Sequence, residues 1–217
     1  MIRAAIPAEP LDTPVAMLLA VWAACPRLGS TFLFEGLRAW KIPSELIAAI
    51  SRLYKGSSAS IFFAGKRSVS RIRFGGGIKE GCPMSASIFA LCYDFVLRRL
   101  AALGNPLTFK VLTYADDTAL VINKFWDNLA KLASMLVEIG LASNLWINSR
   151  KTYVVCLDMK TIFAQLKARM STISPTMSLA WITYAARYLG VEVGPCAPAG
   201  QFRSTAIRLV AAARELR

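Results

Sequence analysis

Two adjacent carboxylates interrupt one of the most apolar stretches of the chain: residues 109–122 read FKVLTYADDTALVI, with Asp116 and Asp117 near the centre. The flanking arms are short and rich in β-branched and aromatic residues, so the segment reads as a tight β-hairpin with the acids at its bend. Burying an unpaired carboxylate costs several kcal/mol. Either the bend is solvated or a cation compensates the pair. Magnesium suits such a place, because one or two carboxylates hold it while substrate phosphates and water complete its octahedron.

Composition narrows the chemistry around that bend. The chain has 217 residues, enough for one good core and too few for two full domains. Its hydrophobic content of 55% excludes a disordered polyelectrolyte. With 26 Lys+Arg against 13 Asp+Glu the formal charge is +13, which suits a polyanion such as nucleic acid. There is no histidine, so Ser-His-Asp and Cys-His centres and His-containing zinc sites are excluded. The five cysteines (Cys25, Cys82, Cys92, Cys156, Cys196) form no CxxC pair and read as buried reduced thiols. That usage favours a reducing intracellular compartment, nuclear or cytoplasmic. The apolar run PVAMLLAVWAAC (14–25) is too short to span a bilayer. Its upstream segment has the wrong charge balance for a secretory leader, so a core strand or helix is expected and no membrane partner.

Residues 33–55 read as two short helices broken at Pro43, with Ser44 capping the second. SASIFF (58–63) and SVSRIRF (68–74) alternate around Gly65-Lys66-Arg67 as a hairpin. GGGIKEGCPMS breaks regularity before a helix from about Pro83 to Leu103. A helix from Trp126 to Ile139 should stop at Gly140, followed by a turn and strand within 145–157, a basic amphipathic helix from Met159, a strand over 188–194 and a helix over 202–217. From Leu46 to Lys79 there is no acid, while Arg52, Lys55, Lys66, Arg67, Arg71, Arg73 and Lys79 supply seven positive charges that could track a phosphate backbone.

The order of segments resembles one family. GIKEGCPMSASIF, YADD, GLASNLWINSRKT and RYLGVEVG look like motifs B, C, D and E of the reverse transcriptases of non-LTR (LINE-type) retrotransposons, and the likeness covers roughly residues 18–195. The resemblance implies an α+β polymerase palm: a small antiparallel sheet carrying the YADD hairpin, helices on its other face, fingers largely missing and a partial thumb. It divides the chain into an N-terminal remnant (1–17), the palm (18–195) and the start of a thumb helix (196–217). The implied chemistry is two-metal nucleotidyl transfer with Mg2+, using an RNA template, a DNA primer and deoxynucleotides. Asp116 and Asp117 would be the metal ligands, and Lys151 would stand near the leaving phosphates. Gly81, Ser85, Tyr114 and Ala115 would line the nucleotide and template path.

The departures from that family are specific. Its motif A supplies a further metal carboxylate, and counting back thirteen residues from Leu33 puts that position at Ala20. Ala24 and Pro26 keep the register, while Cys25 replaces the aromatic that screens out ribonucleotides. An alternative D-x-x-x-A spacing begins at Asp12 but needs eight extra residues, with Pro14 in the strand. Glu80 stands where Gln is usual and Ala86 where Pro is usual. The expected result is a chain with little or no polymerase turnover, the competing reading being a non-enzymatic nucleic-acid-binding pseudo-polymerase.

Overall fold

The computed structural model describes residues 13–73, 75–79, 81–105 and 107–201. The apolar run at 14–25 becomes a strand rather than a long helix: β1 (Val15–Leu19), all five residues buried, followed by one helical turn, α1 (Ala24–Arg27). Next come α2 (Ser30–Ala39), α3 (Ser44–Tyr54), β2 (Ser58–Phe63), β3 (Lys66–Arg73) and α4 (Ser85–Ala101). The second half adds β4 (Phe109–Tyr114), β5 (Asp117–Ile122), α5 (Phe125–Ser143), β6 (Tyr153–Cys156), α6 (Phe163–Ile173), β7 (Trp181–Thr183), β8 (Ala186–Tyr188) and β9 (Val191–Val193).

Five strands form one sheet in the order β4-β5-β1-β6-β7. β1 is its centre, antiparallel to β5 and to β6. The expected antiparallel sheet therefore holds, with one addition: β7 joins the edge parallel to β6. Successive residues of β1 face opposite sides, and both sides are covered. Val15, Met17 and Leu19 join Leu120, Ile122, Val154 and Cys156 under the helices, against Leu33, Cys92, Val96, Phe125 and Leu129. Ala16 and Leu18 pack with Ala119, Val155 and Ala186 on the other face, beneath the β8–β9 hairpin. Burial on two faces explains why the strand reads as a continuous apolar run instead of alternating.

Several boundaries differ from expectation. Pro43, not Ser44, occupies the cap of α3 and no side chain caps it; the amide of Ile47 donates to the Pro43 carbonyl at 3.0 Å. α5 runs through Gly140 and ends at Asn144, which adopts φ 61°. Gly140 is a packing residue: a β-carbon there would lie 2.6 Å from the Trp146 ring, so the glycine admits the indole onto the helix. The 188–194 segment is the end of one strand, a Leu189-Gly190 turn and a second strand, because both turn residues have positive φ. The expected palm boundary after residue 17 falls inside β1, and the helix expected over 202–217 lies outside the described residues.

Among the thiols, Cys92 and Cys156 are buried, Cys25 and Cys82 half-buried, and Cys196 is exposed, against the expectation that all would be buried. Burial pushes the Cys92 and Cys156 thiols up to about 11, leaving almost no thiolate at neutral pH. With a thiol-specific reagent at pH 8, Cys196 reacts first, and Cys92 and Cys156 react only after denaturant is added. Early labelling of either, located by mass spectrometry, would contradict the packing of β6 or α4.

Candidate functional site

The acidic bend is built by register. β4 and β5 pair from Phe109↔Ile122 to Tyr114↔Asp117, which leaves Ala115 and Asp116 as a two-residue turn. Ala115 sits at φ 54°, a left-handed conformation that strains a residue bearing a β-carbon by roughly 1–3 kcal/mol. Thr113 offsets part of this: its hydroxyl donates to the carbonyls of Ala115 at 3.3 Å and Asp117 at 3.2 Å. Beneath the turn, the buried Tyr93 hydroxyl of α4 bonds the Thr118 hydroxyl at 2.8 Å. From the other face, the Tyr188 hydroxyl at the end of β8 donates to the Asp117 carbonyl at 3.2 Å and the Leu112 carbonyl at 3.4 Å. Three elements thus fix the backbone that carries the acids.

Both carboxylates are exposed, and Tyr114, which shares a face with Asp117, is 71% exposed. Partial burial, and secondly the charge of Asp116, raise the Asp117 carboxyl above its ordinary value. Burial is the first cause raising Tyr188, and the charge of Asp117 adds to it. The site therefore carries uncompensated negative potential, which favours a cation.

Across the sheet from Asp117 stands Ala20. β1 pairs β5 as far as Leu19↔Thr118, and one further step of that register sets residue 20 opposite Asp117. Its backbone is held on the other side, where its amide donates to Thr152 Oγ1 at 3.3 Å and its carbonyl accepts from the Asn148 amide at 2.7 Å. Ala16 and Met17, which belong to the alternative spacing from Asp12, lie mid-strand opposite Val121 and Leu120. Asp12 and Glu80 lie outside the described residues. Among the described residues no group of three or more His, Cys, Asp or Glu converges on a metal position. Two neighbouring carboxylates suit one hard cation completed by phosphate and water, and they do not suit a pair of ions ~3.5–4 Å apart.

The other expected residues separate into two places. Gly81 adopts φ 81° just before α4, and Ser85 opens that helix, its hydroxyl donating to the Lys79 carbonyl. This loop is stitched to α1: Gly77 and Ile78 donate to the Leu28 and Cys25 carbonyls at 3.1 and 2.7 Å. A β-carbon on Gly77, at φ 81°, would lie 2.0 Å from the Pro26 carbonyl oxygen. Lys151 ends a 3-10 turn before β6, exposed, and makes no ion pair with either aspartate among the described residues. Tyr93 and Tyr188 were not legible in the sequence, because a hydroxyl that clasps a distant strand leaves no local pattern. A cavity of about 310 Å³ beside the Gly75–Gly77 loop, lined by Ser30, Phe34, Tyr54, Lys55 and Lys79 among others, was equally illegible. Neither Asp116 nor Asp117 lines it.

Two stability experiments test this geometry. Asp117→Asn removes a carboxylate whose folded pKa is raised, so in metal-free buffer at pH 7 it should increase the melting temperature. The gain should shrink as pH falls through the raised folded value and vanish below the ordinary carboxylate range, where the wild-type group is protonated in both states. A gain that does not vary with pH would contradict the raised value. Gly77→Ala should cost about 2 kcal/mol or more by denaturant unfolding, from the left-handed backbone and the clash with backbone at Pro26.

Comparison with known proteins gives a consistent picture. The sequence model of reverse transcriptase (RNA-dependent DNA polymerase) matches residues 28–193. Over 168 residues the chain is 30% identical to the Pol polyprotein from the type-1 retrotransposable element R2 of Bradysia coprophila, covering 69% of this chain and 18% of the polyprotein. The fold is similar to apo telomerase from Candida tropicalis: TM-score 0.61 at 12% identity, covering 86% of this chain and 35% of a form truncated of its C-terminal domain. A second structure of that apo telomerase gives TM-score 0.61 at 10% identity, covering 87% of this chain and 32% of the other.

Proposed function

The chain belongs to the family of reverse transcriptases (RNA-dependent DNA polymerases), of the kind carried by non-LTR retrotransposons, and we propose that it is a palm that binds template and primer without sustaining DNA synthesis. It spans 18% of the R2 polyprotein, so activity, substrates and partners are inferences from its residues. The observation that carries the reading is Ala20, one register step beyond the last β1–β5 pair and opposite Asp117.

In this reading Asp116 and Asp117 are the metal ligands that remain, and Mg2+ is their ion. Tyr114 and Ala115 present the bend to the primer end, and Gly81 and Ser85 shape the loop that meets template and incoming deoxynucleotide. Lys151 would stand near the phosphates of a bound nucleotide. A two-metal transfer needs carboxylates on both sides of the ion pair, and a methyl group at position 20 supplies none. Binding does not need that ligand. The phosphate backbone is recognised through positive charge, and the chain carries twice as many Lys and Arg as Asp and Glu. This favours the second reading, a pseudo-polymerase that retains nucleic acid, as the working state of the unmodified chain.

Primer extension on an RNA template with magnesium tests it. The unmodified chain should give no product above background, and Ala20→Asp should raise synthesis by ~100-fold or more, the scale on which one group facing developing charge acts. Filter binding of the template-primer should survive Asp116→Asn. Robust synthesis by the unmodified chain would overturn the alignment of motif A.

A further inference from the structure

β2 and β3 form a two-stranded ribbon outside the main sheet. Of its five cross-strand pairs, three are Ser58↔Arg73, Ser60↔Arg71 and Phe62↔Arg67, with an irregularity between the last two. Directly paired residues project from the same face, and residues 58, 60 and 62 alternate onto one face of β2. One face therefore presents Arg73, Arg71 and Arg67 in a row, with Ser58 and Ser60 beside them and Phe62 at the tip. The Arg67 Nε donates to Ser60 Oγ at 3.0 Å, consistent with both lying on that face. All three arginines are exposed, and Phe62 is 68% exposed. No acidic residue lies anywhere from Leu46 to Lys79, so nothing on the ribbon neutralises the row. Phe63, next in sequence and 83% exposed, projects from the opposite face with Lys66.

We propose that the Arg67/Arg71/Arg73 face of the β2–β3 ribbon is a binding track for one unpaired nucleic-acid strand, with Phe62 stacking on a base. The charge row selects phosphodiesters. The strand is unpaired because an aromatic ring can stack only on a base face that is not already covered in a duplex, and such stacking accepts any sequence. Arginine suits the row because its planar fork bonds phosphate oxygens in pairs. This deepens the nucleic-acid reading above and rests on it: the ribbon would hold a stretch of template that has not yet been paired.

Fluorescence anisotropy with a labelled unstructured RNA 20-mer, and with the same strand in a duplex, provides the test on the full chain. Arg71→Gln with Arg73→Gln should lower the slope of log affinity against log salt by about 1.4, at about 0.7 per phosphate contact on a single strand. Arg71→Lys with Arg73→Lys should largely keep it. Phe62→Ala should weaken binding of the single strand by roughly 5- to 100-fold and leave the duplex unchanged, the range expected for one lost stack. Phe63→Ala, its neighbour on the other face, should leave both unchanged. Because these side chains are exposed, an unchanged melting temperature will show that each variant folds. Equal effects of Phe62→Ala and Phe63→Ala, or an unaltered salt slope in the arginine pair, would overturn the track while leaving the family reading intact. A wild-type chain that binds neither RNA would overturn both.

Discussion

Strand β1 can lie in only one register, and the remainder of the molecule is arranged by that fact. Its five residues are buried on two faces, between the helical layer and the β8–β9 hairpin. A slip of one residue would exchange Met17 for Ala16 or Leu18 beneath the helices and leave both layers misfilled, which is why period-two packing specifies pairing so strongly. Fully burying a residue such as Met17 contributes about 1.5–3 kcal/mol, and its neighbours on the same face add to it. The strand that fixes the sheet also fixes what stands beside the acidic bend. Position 20 follows Leu19, and no local adjustment can bring another residue of β1 there.

The same constraint separates what supports the acidic bend from what faces it. The bend is clasped by Thr113, Tyr93 through Thr118, and Tyr188, so the scaffold for the carboxylates is intact. What faces them across the sheet, one register step past Leu19, is the methyl group of Ala20. Packing is spread over dozens of side chains, whereas a metal set depends on three or four, so a single substitution can alter the second without touching the first.

Much of this was legible in the sequence for identifiable reasons. The YADD hairpin was readable because its arms are apolar and its bend is not, and the count back from Leu33 leads to the residue that directly follows β1. The β2–β3 hairpin was visible through alternation. Other features had no local signal. β7 is three residues long and exists because an edge of β6 was open to it. Gly140 looked like a helix stop and is a seat for Trp146, a contact that only the folded turn after α5 creates. The split of 188–194 into two strands depended on two positive φ values, one of them at Leu189, where a sequence reader expects none.

Tyr188 gives the C-terminal hairpin a mechanical part in this arrangement. Its hydroxyl holds carbonyls on both arms of the acidic loop, so β8 and the carboxylate-bearing backbone behave as a lever and its load. The β8–β9 hairpin is thereby coupled, through the phenol of Tyr188, to a turn with a left-handed alanine. A pull or rotation applied downstream would be felt as a change in the spacing of β4 and β5 before it disturbed the core.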